Sequence, residues 1–408
     1  MHSACTPQCG LHVVLAAPLN STAGDHVSYI HERPLATILH GLRGYALHAR
    51  RTVRLRITRL HHPDVMNHLA RRVADAMRKH AHAYTSHVVI FYGPAPSADH
   101  SQRINASAMS NAAAAQGRVL LVQYQTEPVA NATTCARRAA SRRAENTSPQ
   151  RAEPILCETS RSGQYGFPVL LGARELWDFS LGNVQNYRES AGTAYDVTVD
   201  RTFRYVPLGA LPDEQPQAVH TSTPSLTFFG QLRWYQHRRE MWHLVKKALG
   251  KRAHDVNDVS DERAFAKLLT TASLSGGYRR FRVPPASIFL NMHKHGGREG
   301  GARPVTFRVA KLLDAGALVI SERCHPDDEA EFAGVVDFVE EAEVLASFLR
   351  LANASATHRH ALAAERRERF RERFEPRGIF ERAGIYVLFD SLLNCTACAD
   401  RGTDSVLT

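Results

Sequence analysis

The segment Ile288–Val339, IFLNMHKHGGREGGARPVTFRVAKLLDAGALVISERCHPDDEAEFAGVVDFV, decides how the chain is read, because its hydrophobic period changes several times. Ile288 to Met292 is a short unbroken apolar run of the kind that makes a parallel strand buried on both faces. A turn holding Gly296, Gly297, Gly300 and Gly301 follows and leads into a helix. Pro304 suits the first helical position, and Val305, Val309, Leu312 and Leu313 recur at helical spacing. Gly316 supplies a left-handed stop, after which Ala317 to Ser321 and Val335 to Val339 read as further strands. Two parallel strands around a helix form a βαβ unit, which takes ligands at its strand C-termini and helix N-terminus. The expected site therefore lies near His293, Arg308 and Glu322.

Working outward, the first half alternates in the same way. Leu11 to Ala17, Thr52 to Thr58, His87 to Tyr92 and Arg118 to Gln123 read as strands, with helices in Tyr29 to Ala49 and Val65 to Ala83 between them. Val169 to Leu171 reads as another strand, and Leu176 to Ser190 as a helix with Ser180 as its N-cap. A stretch rich in Pro, Gln, Thr and Ser, Pro212 to Pro224, marks a linker. Alternation restarts with a strand at Ser225 to Phe229 and helices at Arg238 to Leu249 and Glu262 to Leu269. Helices are also expected over Val344 to Leu351, Ala361 to Phe374 and Ile379 to Leu393. The fold class expected is α/β, with two Rossmann-like domains, residues 1–215 and 216–408.

With 408 residues, 44% of them hydrophobic, two sizeable cores are affordable. The formal charge of +11 favours phosphorylated partners or an anionic membrane surface. The basic runs around Arg137–Arg143 and Arg366–Arg373 read first as solvated faces, and basic residues do not interleave with aromatics as a nucleic-acid platform requires. No apolar run is long enough to span a bilayer, and Leu11 to Ala17 makes a poor signal peptide. Five Asn-x-Ser/Thr sequons, headed by Asn20, Asn105, Asn131, Asn146 and Asn353, leave cytoplasm and secretory lumen both open. Seven cysteines, with one isolated Cys395-x-x-Cys398 pair, argue against a disulfide framework.

Two successive Rossmann-like halves fit a dehydrogenase pair, a two-lobed binding protein or a glycosyltransferase. FRVAKLLDAGALVISE (Phe307–Glu322), GVVDFVEEAEVLASFL and the late arginine-rich helix resemble the C-terminal domain of group 1 glycosyltransferases of the GT-B type. LTFFGQLRWYQHRRE, LWDFSLGNVQNY and RYVPLGA are similar to further segments of that family. The resemblance implies two Rossmann-like domains facing a cleft, with a nucleoside diphosphate sugar as co-substrate and no other cofactor. No Asp-x-Asp motif stands at a strand end and Asp327-Asp328 reads as loop acid, so no bound metal is expected, in keeping with that family. The resemblance also implies an acceptor hydroxyl of unspecified origin, with membrane association through the basic surface as a further expectation.

On that reading Gly230, at the first strand-to-helix turn of the second half, lets backbone N–H groups approach a diphosphate, unless it is an ordinary tight turn. Arg233, with Arg238 or Arg239 as alternatives, and Arg308 would neutralise phosphate charge. His293, in a phrase LNMH similar to the family's LNIH, is a candidate catalytic residue or a satisfied structural one. Glu322 would accept the ribose hydroxyls, or is an exposed loop acid. Glu127 is the favoured acceptor-side base over His12, Asp25 and His26, and is equally readable as a structural acid. Two glutamates that the family carries around its donor helix are replaced by Arg303 and Lys311. That departure keeps a second reading open, a GT-B-like module that binds a nucleotide or anionic glycan without turnover.

Overall fold

The computed structural model describes residues 10–17, 26–48, 54–61, 65–80, 84, 86–92, 118–125, 129, 133, 136, 158–159, 165–166, 173–193, 200–211, 224–230, 232, 235–256, 269–270, 280–281, 286–293, 305 and 307–393. The first half builds β1 (Gly10–Ala17), α1 (His26–His48), β2 (Arg54–His61), α2 (Val65–His80), β3 (Ser86–Tyr92), β4 (Arg118–Gln125), β5 (Glu175–Asp178), α3 (Leu181–Glu189) and β6 (Thr202–Tyr205). The second contains β7 (Leu226–Phe229), α4 (Gln236–Leu249), β8 (Ala253–Val256), β9 (Ile288–Asn291), α5 (Phe307–Asp314), β10 (Leu318–Glu322), α6 (Pro326–Glu331) and β11 (Val336–Val339). Helices α7 (Val344–Asn353), α8 (Ala356–Arg373), α9 (Pro376–Arg382) and α10 (Ile385–Leu393) complete it.

Each half carries a wholly parallel sheet, ordered β2-β1-β3-β4-β5-β6 and β8-β7-β9-β10-β11. The chain is thus α/β with two doubly wound sheets, as the sequence pattern predicts. In both, the order reverses beside the first strand, and ligands of such sheets bind at that switch point beyond the strand C-termini. In the second sheet the switch lies between β7 and β9. Helix α5 ends as its sequence foretells. Gly316 has φ +83, and its N–H and that of Ala317 reach back to Leu313 and Leu312, closing a Schellman turn.

Several elements differ from the expectation. Glu175–Asp178 is a buried central strand rather than part of a helix, and α3 starts only after Ser180, whose hydroxyl accepts from the Asn183 N–H. Strands β6 and β8 have charged residues in their short runs and carry no clear periodicity. The last helix is two, α9 and α10, because Gly384 at φ +67 breaks it. Leu269, expected to close a helix, pairs with Phe281 in a short antiparallel ladder. Val169–Leu171, residues 262–268 of that expected helix, and all of the linker except Pro224 fall outside the described residues.

Most of the basic run of α8 turns inward; Arg369 alone among its arginines stays exposed and pairs with Glu365 on the same helix. Arg366 donates to Asp337 (2.7 Å), Arg367 to the Asp314 carbonyl (2.6 Å), and Arg373 to the Ala333 carbonyl (3.1 Å). Guanidinium groups carry five donors on a long apolar stem, which lets them satisfy carbonyls at the ends of neighbouring elements. The chain end returns to the first half: Tyr386 donates to the Gly41 carbonyl (3.0 Å), and Tyr45 to Asp390 (2.8 Å). A Cβ on Gly41 would fall 2.5 Å from the Phe380 ring, so α1 and α9 meet there at glycine distance. No helix among the described residues is long and apolar enough to cross a membrane.

The halves are joined through a buried ion cluster. Asp314, fully buried, accepts from Arg33 of α1, from the Leu211 N–H (2.7 Å) and from Arg371 of α8 (3.0 Å). Removing one partner of a buried pair strands the other charges, at about 3–5 kcal/mol. Asp314→Ala is expected to cost that much in chemical denaturation. Arg33→Met is expected to cost less, since Arg371 and Leu211 still hold the carboxylate; equal losses would contradict this arrangement.

Candidate functional site

At the switch point of the second sheet the C-terminal ends of β7, β9 and β10 meet the first turns of α4 and α5. Glu322, the last residue of β10, has a side chain only 3% exposed. One carboxylate oxygen is hydrogen-bonded to His237 Nε2 (2.6 Å) and the other accepts the backbone N–H of His293 (2.5 Å). Burial pushes this carboxyl up, but the His237 hydrogen bond, the charges of His293 and His237 and the His293 N–H together outweigh it, and it lies below the usual carboxylate value. A buried carboxylate is thereby held ionised in one orientation, and each oxygen keeps lone-pair capacity for a further donor.

Gly230, immediately after β7, has φ +151. A Cβ there would collide with Arg308 Nη1, so the bare glycine backbone is what lets this guanidinium settle on the turn. Arg308 also lies over the Phe228 ring, 5.6 Å from its centroid, and Arg238 approaches the same ring at 5.8 Å. Arg238 is buried and donates from Nε to the carbonyls of Met292 and His293, both at 3.1 Å. Two guanidinium groups therefore gather on one aromatic ring at the strand edge.

The structure brings Gly230, Arg308, His293 and Glu322 to this one edge. His293 is 6% exposed, its Nε2 lies 3.4 Å from the Glu322 carbonyl and its N–H donates to the Glu322 carboxylate, so ring and backbone both lie against Glu322. Glu322 is a buried acceptor and not an exposed loop acid. Lys311 is 3% exposed on α5. Glu127, Arg233 and Arg303 lie outside the described residues, as do Asp25 and the side chain of His26. His12 lies near the N-terminal end of β1, hydrogen-bonded to His87 (3.1 Å) and Thr58 (2.9 Å), where burial and the neighbouring charges of His87, His80 and Arg56 lower it to about 3. His237 is the residue that sequence reading passed over. Its one available signal was its place in the first turn of a helix following a strand and glycine.

Asp328, which reads from sequence as loop acid, is 1% exposed and spans the two halves. It accepts from the Ser180 hydroxyl (2.7 Å) and the N–H groups of Leu181 (2.8 Å) and Gly182 (3.4 Å), occupying the N-terminus of α3. Asp178, beside it, accepts from the Ser180 N–H (2.9 Å) and the Asn183 amide (3.0 Å), and burial raises its carboxyl well above the usual value.

No protein-family model matches the sequence, and no curated protein matches it. Among solved structures, the chain is similar to a glycotransferase of kitacinnamycin, at 13% identity over 95% of this chain and 100% of that one, with a TM-score of 0.42. It is also similar to Anabaena HepE in complex with UDP-glucose, at 10% identity over 93% and 99% of the two chains, TM-score 0.45. A UDP-forming alpha,alpha-trehalose-phosphate synthase from Burkholderia vietnamiensis is 10% identical over 88% and 85%, TM-score 0.43. Each likeness is remote, and none bears on which residues act.

Burial pushes the Asp328 carboxyl up to about 6, against the pull of its bonds to Ser180, Leu181 and Gly182. A folded value above the unfolded one means that the protonated acid favours folding: this contribution is full below about pH 4 and is lost as pH rises through about 6. The stability of the native protein relative to Asp328→Asn is therefore expected to decline between those limits. Thermal unfolding of both proteins across that range checks it, and a constant difference would refute it.

Proposed function

We propose that the chain is a glycosyltransferase that binds a nucleoside diphosphate sugar at the switch point of the second sheet and passes the sugar to an acceptor hydroxyl. The observation that carries this reading is the pairing, on one strand edge, of a fixed anionic acceptor with gathered cations. Glu322 is ionised and oriented by His237 and the His293 N–H, while Arg308 rests on Gly230 and shares the Phe228 ring with Arg238. A nucleoside diphosphate presents that polarity in reverse, with hydroxyl donors on the ribose and negative oxygens on the diphosphate.

In this mechanism the Glu322 carboxylate accepts ribose hydroxyls on its remaining lone pairs. Arg308, at the N-terminus of α5, faces the diphosphate with the buried charge of Arg238 behind it, and the charge that develops on the leaving nucleotide as the glycosidic bond breaks is offset by those guanidinium groups and the helix dipole. Glu127, two residues beyond β4 in sequence, is the proposed base that takes the acceptor proton if the reaction inverts. His293 contributes its backbone N–H to Glu322. The proposed domain division is residues 1–215 for the acceptor and 216–408 for the donor.

A panel of nucleoside diphosphate sugars tests the reading, with nucleotide release as the readout. Hydrogen bonds to a charged group contribute about 1.5–3 kcal/mol, so Glu322→Gln is expected to weaken nucleoside diphosphate binding by about 10- to 150-fold. Arg308→Ala is expected to weaken it comparably and to flatten its salt dependence. Binding without release across the panel would favour the non-catalytic module suggested by Arg303 and Lys311. Unchanged binding in both variants would remove the site from this edge.

A further inference from the structure

His237 faces a second carboxylate besides Glu322. Its Nε2 lies 2.6 Å from Glu322 Oε1 and 3.8 Å from Glu341 Oε1, and the ligand atoms of all three residues fall within 4.8 Å of one another. They come from three separate elements: the first turn of α4, the end of β10, and a 3-10 turn at Glu341–Glu343. Glu322 and the turn carrying Glu341 are each held in place by something other than the cluster. The far oxygen of Glu322 is anchored by the His293 N–H. The turn carrying Glu341 is fixed by a capping box in which the Glu340 and Glu343 side chains accept each other's backbone N–H. The Glu341 side chain is 58% exposed, so the cluster opens to solvent on that side.

We infer that His237, Glu322 and Glu341 form a binding site for one divalent transition-metal ion of the Zn2+ class. One imidazole and two carboxylates match the nitrogen and oxygen preference of such ions, and three protein ligands leave a further position for water. Metal–ligand bonds of about 2.1 Å in a tetrahedral arrangement set the ligand atoms about 3.4 Å apart. The His237 separations of 2.6 and 3.8 Å straddle that spacing and the two carboxylates lie within 4.8 Å of each other, so side-chain shifts of about 1 Å admit an ion. The anchoring His293 N–H plays the part that outer hydrogen bonds play in holding metal-ligating carboxylates. The ion replaces the hydrogen shared between His237 and Glu322. This site goes beyond the proposed function and needs no nucleotide. Because Glu322 serves both, an ion in place is expected to weaken nucleotide binding, and that coupling alone rests on the glycosyltransferase reading.

The test uses chelator-treated full-length protein carrying Cys395→Ser and Cys398→Ser, which removes the competing thiols of the tail. It is titrated with Co2+, read by ligand-field absorption, and with Zn2+, read by calorimetry, in the absence of nucleotide. One ion per chain is expected, bound about tenfold or more weakly by His237→Gln and by Glu341→Gln. Thermal unfolding of the ion-free Glu341→Gln protein is expected to match that of the unmutated residue, since the side chain is exposed, so its loss of binding cannot be charged to misfolding. Equal binding in both variants would mean an adventitious ion only and would overturn the site, as would the lack of one-to-one binding to the protein with His237 and Glu341 intact.

Discussion

The carboxylate of Asp314 is fully buried and must be matched where it stands, because an unpaired interior charge costs several kcal/mol. Its partners come from α1, from the backbone after β6 and from α8, so one side chain fixes how elements of both halves approach. Its carbonyl takes Arg367 as well, leaving the end of α5 tied by both side chain and backbone. Arg308 is six residues earlier on the same helix, about 9 Å along its axis. Anchoring one end of so short a helix sets where the other end puts its guanidinium. The contact of Arg308 with Gly230 thus depends on charges buried at the far end of α5.

The orientation of Glu322 has a simpler origin in strand register. Strands β9 and β10 run parallel with Asn291 opposite Ser321, so the backbone just past β9 lies beside the end of β10. The His293 N–H has left the ladder there, and the Glu322 carboxylate gives it the partner that the sheet no longer supplies. The acid caps the sheet edge with one oxygen and holds His237 with the other. The same two-strand offset that ends the ladder therefore creates an oriented acceptor at the place where doubly wound sheets bind ligands.

What could be read from sequence follows from which signals are local. The apolar runs of β1, β3, β4, β9 and β10, and the spacing Val309, Leu312, Leu313, carry period and burial within a few residues, and these elements form where they are expected, except that α5 begins at Phe307 and leaves Val305 outside the helix. Strand β5 was not legible, because its terminal acids are satisfied only at a distance in sequence or just past the strand. Glu175 takes Arg204 (2.6 Å), and Asp178 takes the start of α3. The α8 arginines misled for the same reason, since the carbonyls they satisfy belong to other elements. Gly230, His293, Arg308 and Glu322 lie together at one strand edge, as their positions in βαβ units imply. His237 was not legible, because its partner Glu322 is 85 residues away and no local pattern joins them.

The two sheets share one topology yet differ in what they offer an anion. At the C-terminal edge of the first, the N-terminus of α3 is a ready anion site, and it is already filled by Asp328 from the other half. An incoming phosphate there would have to displace a carboxylate buried against Asp178, so the protein satisfies this helix end with its own charge. At the switch point of the second sheet the balance is reversed. Arg308 and Arg238 gather on Phe228, and Glu322 stands beside them with its inner bonds made. Plugging one helix terminus and leaving cations at the other edge separates the halves by charge. The proposed nucleoside diphosphate site rests on that difference: among the described residues the gathered guanidinium groups stand at the second sheet.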